Sequence, residues 1–137
     1  MSSEPTSVLD ASALLAYLQD EPGVDLVAEA LVQGVAMSAV NWAEVLSKLT
    51  EWGQDPDAVT AELTEQGLLG KALLVYPLNE ALACSIAKLY PGTRSLGLSL
   101  GDRACLALAL SLGLPVLTAD RDWGTLSLGC NVIQIRS

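Results

Sequence analysis

Apolar positions along the chain fall into short blocks that alternate between strand-like and helix-like spacing. Ser7-Val8-Leu9-Asp10 reads as a short strand, and Ser12–Leu18 as a helix capped by Ser12. After the break at Pro22-Gly23, residues Val24–Val32 carry apolar positions at helical spacing. Val35–Ser38 is a second strand, closed by the turn-like Ala39-Val40-Asn41. From Asn41, the positions Trp42, Val45, Leu46 and Leu49 follow a period near 3.6, which predicts a helix running to Gly53. Asp55-Pro56 opens another helix that ends near Gly67, with Asp55 as its cap. Leu73–Tyr76 is a strand, and Asn79 caps a helix through Tyr90. Pro91–Ser99 reads as a loop, followed by a long apolar helix, Leu100–Leu112, stopped by Gly113. Pro115–Thr118 is a buried strand, Asp120–Leu126 a turn or short helix, and Val132–Ile135 the last strand. Strands alternating with helices, without hairpin dipeptides, predict a central, mainly parallel sheet covered on both faces, a three-layer α/β/α sandwich. No repeat or long linker divides residues 1–137, so a single domain is expected.

Composition narrows the chemistry. The 137 residues include 16 Asp plus Glu against 7 Lys plus Arg, a formal net charge of −9, and no histidine. The apolar fraction is 51%, which rules out disorder. Without histidine there is no Ser–His or Cys–His machinery and no His-ligated zinc. Cys84, Cys105 and Cys130 form no CxxC pair, and Cys84 and Cys105 fall in Ala/Leu-rich helical runs where a thiol acts as a small buried hydrophobe. The first residues lack a signal-peptide layout, and the longest apolar stretch, Ala104–Leu117, is shorter than the ~20 residues that span a bilayer. A cytoplasmic protein without a membrane segment is the expectation. Taken alone, the negative charge argues against a nucleic-acid partner.

The acids change that picture once sorted by position. Most lie in turns, first helical turns or polar faces, where they serve solubility. Four do not. Asp10 and Asp120 each follow an apolar strand, at the carboxyl ends where parallel sheets bind ligands. Asp102 opens the long apolar helix, and Glu44 interrupts the run Trp42, Ala43, Val45, Leu46. Asp10, Asp102 and Asp120 also read as helix or turn caps, and Glu44 as a solvent-facing residue. Together, however, all four fall at one end of the inferred sheet. Carboxylates within ~5 Å of one another repel by about 3 kcal/mol per pair at an effective dielectric of ~20. Such a cluster calls for cations, and an oxygen-only donor set favours Mg²⁺ or Mn²⁺ over zinc. Hydrolysis of a phosphodiester by metal-activated water needs no imidazole. Ser12 and Thr118 are placed to orient a carboxylate or a metal-bound water, or to cap turns, and Asp122 is a further acid beside the set.

The segments carrying these acids resemble four motifs of the PIN-domain ribonucleases. They are Val8-Leu9-Asp10-Ala11-Ser12-Ala13-Leu14-Leu15-Ala16, Ser38-Ala39-Val40-Asn41-Trp42-Ala43-Glu44-Val45-Leu46, Leu98-Ser99-Leu100-Gly101-Asp102-Arg103-Ala104-Cys105-Leu106-Ala107 and Pro115-Val116-Leu117-Thr118-Ala119-Asp120-Arg121-Asp122-Trp123. Four motifs in order, spanning residue 7 to the C-terminus, make a specific match. Gly-Asp-Arg and Thr-Ala-Asp-Arg-Asp-Trp, with the chain length, resemble the VapC-type toxins of bacterial toxin–antitoxin pairs. The resemblance implies an Mg²⁺- or Mn²⁺-dependent endoribonuclease acting on structured RNA such as tRNA, a homodimer, and inhibition by a cognate antitoxin protein. It also implies that Asp10 and Asp102 are the principal metal ligands and Glu44 and Asp120 the remaining acids of the site.

The alternative is a PIN-like module that binds RNA or protein without cutting, against which the intact four-acid set weighs. A phosphate-accepting receiver domain lacks its lysine after a late strand, since the last lysine is Lys88. Bound cations would offset part of the −9, and Arg94, Arg103 and Arg121, in or beside the loops at the acidic end, are candidates for phosphate contacts. Trp42 and Trp123 sit by apolar runs, which favours packing over base stacking. The acidic surface also complements a basic antitoxin segment.

Overall fold

In strand β1 (Ser7–Leu9) the side chains of Val8 and Leu9 point to opposite faces of a sheet, and both are fully buried. The same division recurs in β2 (Val35–Ser38) and β4 (Val116–Thr118). Leu9, Val35, Met37 and Leu117 join the core beneath α1 (Ala11–Leu18), α2 (Val24–Gln33), α3 (Ala39–Glu51) and α4 (Pro56–Glu65). Val8, Ala36 and Val116 join a second core with Cys105, Leu106 and Leu108 of α7 (Leu100–Leu112) and with Trp123. Leu82, from α5 (Glu80–Lys88), packs against that second core, and α6 (Tyr90–Thr93) follows α5. The computed structural model describes residues 4–125 and 129–136. Its three layers are the α/β/α arrangement the alternating pattern predicts.

The sheet runs β3-β2-β1-β4-β5, with β3 at Leu73–Tyr76 and β5 at Val132–Gln134, and every pairing is parallel. The chain moves outward from β1 to β2 and β3, then returns to the other side of β1 with β4. The order therefore reverses between β1 and β4, and their carboxyl ends flank the crevice where parallel sheets bind ligands.

Several boundaries differ from the sequence reading. Asp10, not Ser12, caps α1: its Oδ1 accepts the Ala13 N–H at 2.9 Å. Ala39-Val40-Asn41 is already helical, because the Ser38 hydroxyl accepts the Val40 N–H at 3.1 Å and starts α3 two residues early. Pro91–Ser99 is not an open loop: α6 and a 3-10 turn at Arg94–Leu96 fill most of it. Cys105 is buried as expected, whereas Cys84 is exposed, on the outer face of α5. The turn after β4 is a 3-10 helix at Arg121–Thr125, and Leu126, assigned to the same turn, lies outside the described residues. Among the described residues, no helix is long and apolar enough to cross a membrane.

Candidate active site

Asp10 is the first residue beyond β1, is 5% exposed, and has both carboxylate oxygens bonded. Oδ1 accepts the Ser12 hydroxyl at 2.7 Å and the Ala13 N–H, and Oδ2 accepts the Thr118 hydroxyl at 2.5 Å. Ser12 in turn accepts the Ala119 N–H at 2.9 Å, and Thr118 accepts the Asp120 N–H at 3.0 Å. Two hydroxyls thus staple the end of β1 to the end of β4 around one carboxylate. Burial raises the Asp10 pKa from 3.8 to about 6. The bonds from Thr118, Ala13 and Ser12 pull it down, and the charge of Asp102 pushes it up. Among the described residues no lysine or arginine is ion-paired to it.

Asp102 stands in the first turn of α7, where its Oδ2 accepts the Ser99 N–H at 2.9 Å while its own N–H bonds the Ser99 hydroxyl at 3.1 Å. This reciprocal cap fixes the helix start that brings Asp102 towards Asp10. Glu44 comes from α3, with Oε1 accepting Asn41 Nδ2–H at 2.8 Å, and its carboxylate lies against Gly101. Burial pushes the Cys105 thiol well above its ordinary range, and the charges of Asp10, Asp102 and Glu44 push the same way. Those three charges all act on the Cys105 thiol, inside α7, while Glu44 itself is exposed. Asp120 is tied to Asp10 through Thr118, and its Oδ1 accepts the Asp122 N–H at 2.9 Å. Asp122 itself is exposed.

Among the described residues, no three of these acids are close enough to grip one ion as the side chains lie. The donor chemistry nevertheless fits a hard divalent cation: a buried carboxylate held against desolvation and repelled by a second acid. Of the arginines, Arg94 and Arg121 are exposed. Arg103 is occupied, its Nη1 donating to the Ile86 carbonyl at 3.1 Å and its guanidinium 5.2 Å from the Tyr90 ring centre. Trp123 is fully buried and Trp42 packs on the first core.

Three contributors escaped the sequence reading. Gln134, on β5, donates from Nε2 to the carbonyls of Asp120 (3.1 Å) and Arg121 (3.0 Å), pinning the loop that carries Asp120. Asn41 and Gly101 hold Glu44. The Asn41–Glu44 spacing, one helical turn, was the available signal for Asn41, while Gln134 and Gly101 carry none.

The family model of the PIN domain matches residues 7–127. The chain belongs to the PIN-domain family. No curated protein matches it by sequence. Solved structures similar to this PIN domain include a toxin–antitoxin complex from Klebsiella pneumoniae, at 18% identity and TM-score 0.70, covering 94% of this chain and 97% of that one. FitAcB from Neisseria gonorrhoeae has 21% identity and TM-score 0.70, with the same coverage of 94% and 97%. VapC20 from Mycobacterium tuberculosis, a sarcin–ricin-loop-cleaving toxin, has 14% identity and TM-score 0.66, covering 86% and 92%. At such identities the likeness is one of fold.

Proposed function

We propose that this PIN domain, residues 1–137, is a divalent-cation-dependent endoribonuclease that acts in the cytoplasm, as a homodimer, as the toxin of a toxin–antitoxin pair. The observation that carries this reading is Asp10, a buried carboxylate at the switch point of a parallel sheet, with the charge of Asp102 acting on it. Family membership and the toxin–antitoxin complexes among its structural neighbours support it. Bound Mg²⁺ or Mn²⁺ would supply a Lewis acid for the scissile phosphate and for the attacking water. Asp10, Asp102, Glu44 and Asp120 would hold the ion, with Asp10 as the fixed member because both of its oxygens are already bonded. Ser12 and Thr118 keep that carboxylate oriented, and Gln134 keeps the Asp120 loop against the end of β4. With a pKa near 6, Asp10 is ionised at neutral pH and needs no proton removed before it binds a cation.

An antitoxin would find an apolar groove of 410 Å³ lined by Tyr17, Leu18, Leu31, Val32, Leu63 and Leu68, with Val32 88% exposed. The net charge of −9 suits a basic antitoxin segment, and that pairing would weaken with added salt.

The test uses purified protein freed of antitoxin and a cellular RNA pool containing tRNA. Cleavage should require Mg²⁺ or Mn²⁺, stop with chelator, and disappear in Asp10→Asn and Asp102→Asn while both variants stay folded. Variants that cut like the parent would overturn the site. The non-cleaving alternative draws on one observation, that no three described acids yet converge. Its signature is RNA or protein binding without cleavage, unchanged in Asp10→Asn.

A further inference from the structure

Asn41, in the first turn of α3, is 1% exposed and donates twice from one nitrogen. Its Nδ2 reaches Glu44 Oε1 at 2.8 Å and the Gly101 carbonyl at 2.9 Å, joining α3 to the start of α7. Its Oδ1 is buried without a partner among the described residues. An unpaired buried oxygen is destabilising and offsets part of what the two Nδ2 bonds contribute to the fold. What favours asparagine at this position therefore lies on the Nδ2 side, where Glu44 is.

Gly101 faces the same carboxylate. A Cβ placed on it would lie 2.5 and 2.6 Å from the two Glu44 oxygens and 2.7 Å from Cδ, so the carboxylate rests on the glycine itself. The backbone does not require glycine here. Gly101 is absent from the positive-φ residues and occupies the second position of α7, where alanine is the better helix former. Gly101 is poorer for stability than alanine, and both residues touch Glu44.

We propose that Asn41 and Gly101 are positioning residues that seat Glu44 for cation binding. Asn41 fixes Oε1, and Gly101 lets the whole carboxylate lie against the turn that carries Asp102. The proposal rests on the metal-nuclease reading above and deepens it.

The test measures Mn²⁺ binding to the full-length protein without RNA, by loss of the free-ion electron paramagnetic resonance signal, beside thermal melting in chelator. Asn41→Leu and Gly101→Ala should melt within a few degrees of the parent yet bind Mn²⁺ about tenfold or more weakly, the usual effect of removing an outer-shell partner. In a Glu44→Ala background neither substitution should weaken binding further, because both act through Glu44. If both single variants bind Mn²⁺ like the parent, while Asp10→Asn does not, the seat is overturned and the metal site stands. Further losses in the Glu44→Ala background also overturn it. If the parent binds no Mn²⁺, or Asp10→Asn binds as tightly as the parent, the metal site itself falls and the seat with it. Should Asn41→Leu fail to fold, Gly101→Ala decides alone, since only a flexible side chain has to move to admit its methyl group.

Discussion

A carboxyl group 5% exposed, with no basic partner among the described residues, is held in place against its own desolvation. Raising the Asp10 pKa from 3.8 to about 6 costs the folded, ionised state about 3 kcal/mol. Because the folded value lies above the unfolded one, this contribution favours folding below pH ~4 and is lost as pH rises through ~6. Asp10→Asn keeps an acceptor for Ala13 and an amide for Thr118 but does not titrate. In chelator it should match the parent near pH 4 and exceed it by about 1–3 kcal/mol at pH 8, read from denaturant midpoints. A variant less stable than the parent at pH 8 would show that the carboxylate contributes to the fold rather than burdening it. At this scale the sequence was readable where one residue's type and its place after a strand decide its role, as for Asp10, Ser12 and Thr118. It was silent on Gly101 and on its contact with Asn41 across 60 residues of chain.

Elements are set by their caps, and the caps explain where the sequence reading drifted. Ser12 and Asp10 are both cap formers two residues apart, and the geometry chooses Asp10 because it also closes on Thr118. The reading of Pro91–Ser99 as a loop followed from Pro91, yet proline fits the first turn of a helix, as in α6. Arg103 shows what this segment does. With its hydrogen bond to Ile86 and its stacking on Tyr90, it ties α7 to α5 and α6 rather than awaiting a phosphate. Arg103→Ala should therefore lower stability by about 1–3 kcal/mol and leave the salt dependence of RNA binding unchanged. Arg94→Ala and Arg121→Ala, at exposed positions, should do the opposite, each reducing the slope of log affinity against log salt by about 0.7. Filter binding in the Asp102→Asn background across a salt series, with chelator present to prevent cleavage, distinguishes the two kinds of arginine. Equal slopes for all three variants would remove the distinction.

For the whole molecule, strand alternation announced a parallel sheet but not its order, because every buried strand carries the same apolar signature whichever neighbours it has. The order β3-β2-β1-β4-β5 places the reversal at β1 and β4, and this makes two distant acids neighbours of one crevice. The net charge of −9 then acquires a direction: the solvated majority repels nucleic acid, while the acids at the crevice attract cations. Protons and cations should compete for Asp10, with opposite consequences for stability. In chelator, melting temperature should fall as pH rises through ~6, for the reason given above. With Mn²⁺ at a hundred times its dissociation constant it should stay nearly level over the same interval, since the ion binds only the deprotonated group and offsets the cost of ionising it. At a hundred times the dissociation constant the stabilisation is about 2.7 kcal/mol, on the order of 10 °C for a chain of this length. The two melting curves should therefore converge towards pH 4 and separate as pH rises to about 6, and in Asp10→Asn they should coincide throughout. Curves that stay parallel from pH 5 to 8, or that diverge equally in Asp10→Asn, would place the cation away from the carboxylate at the end of β1.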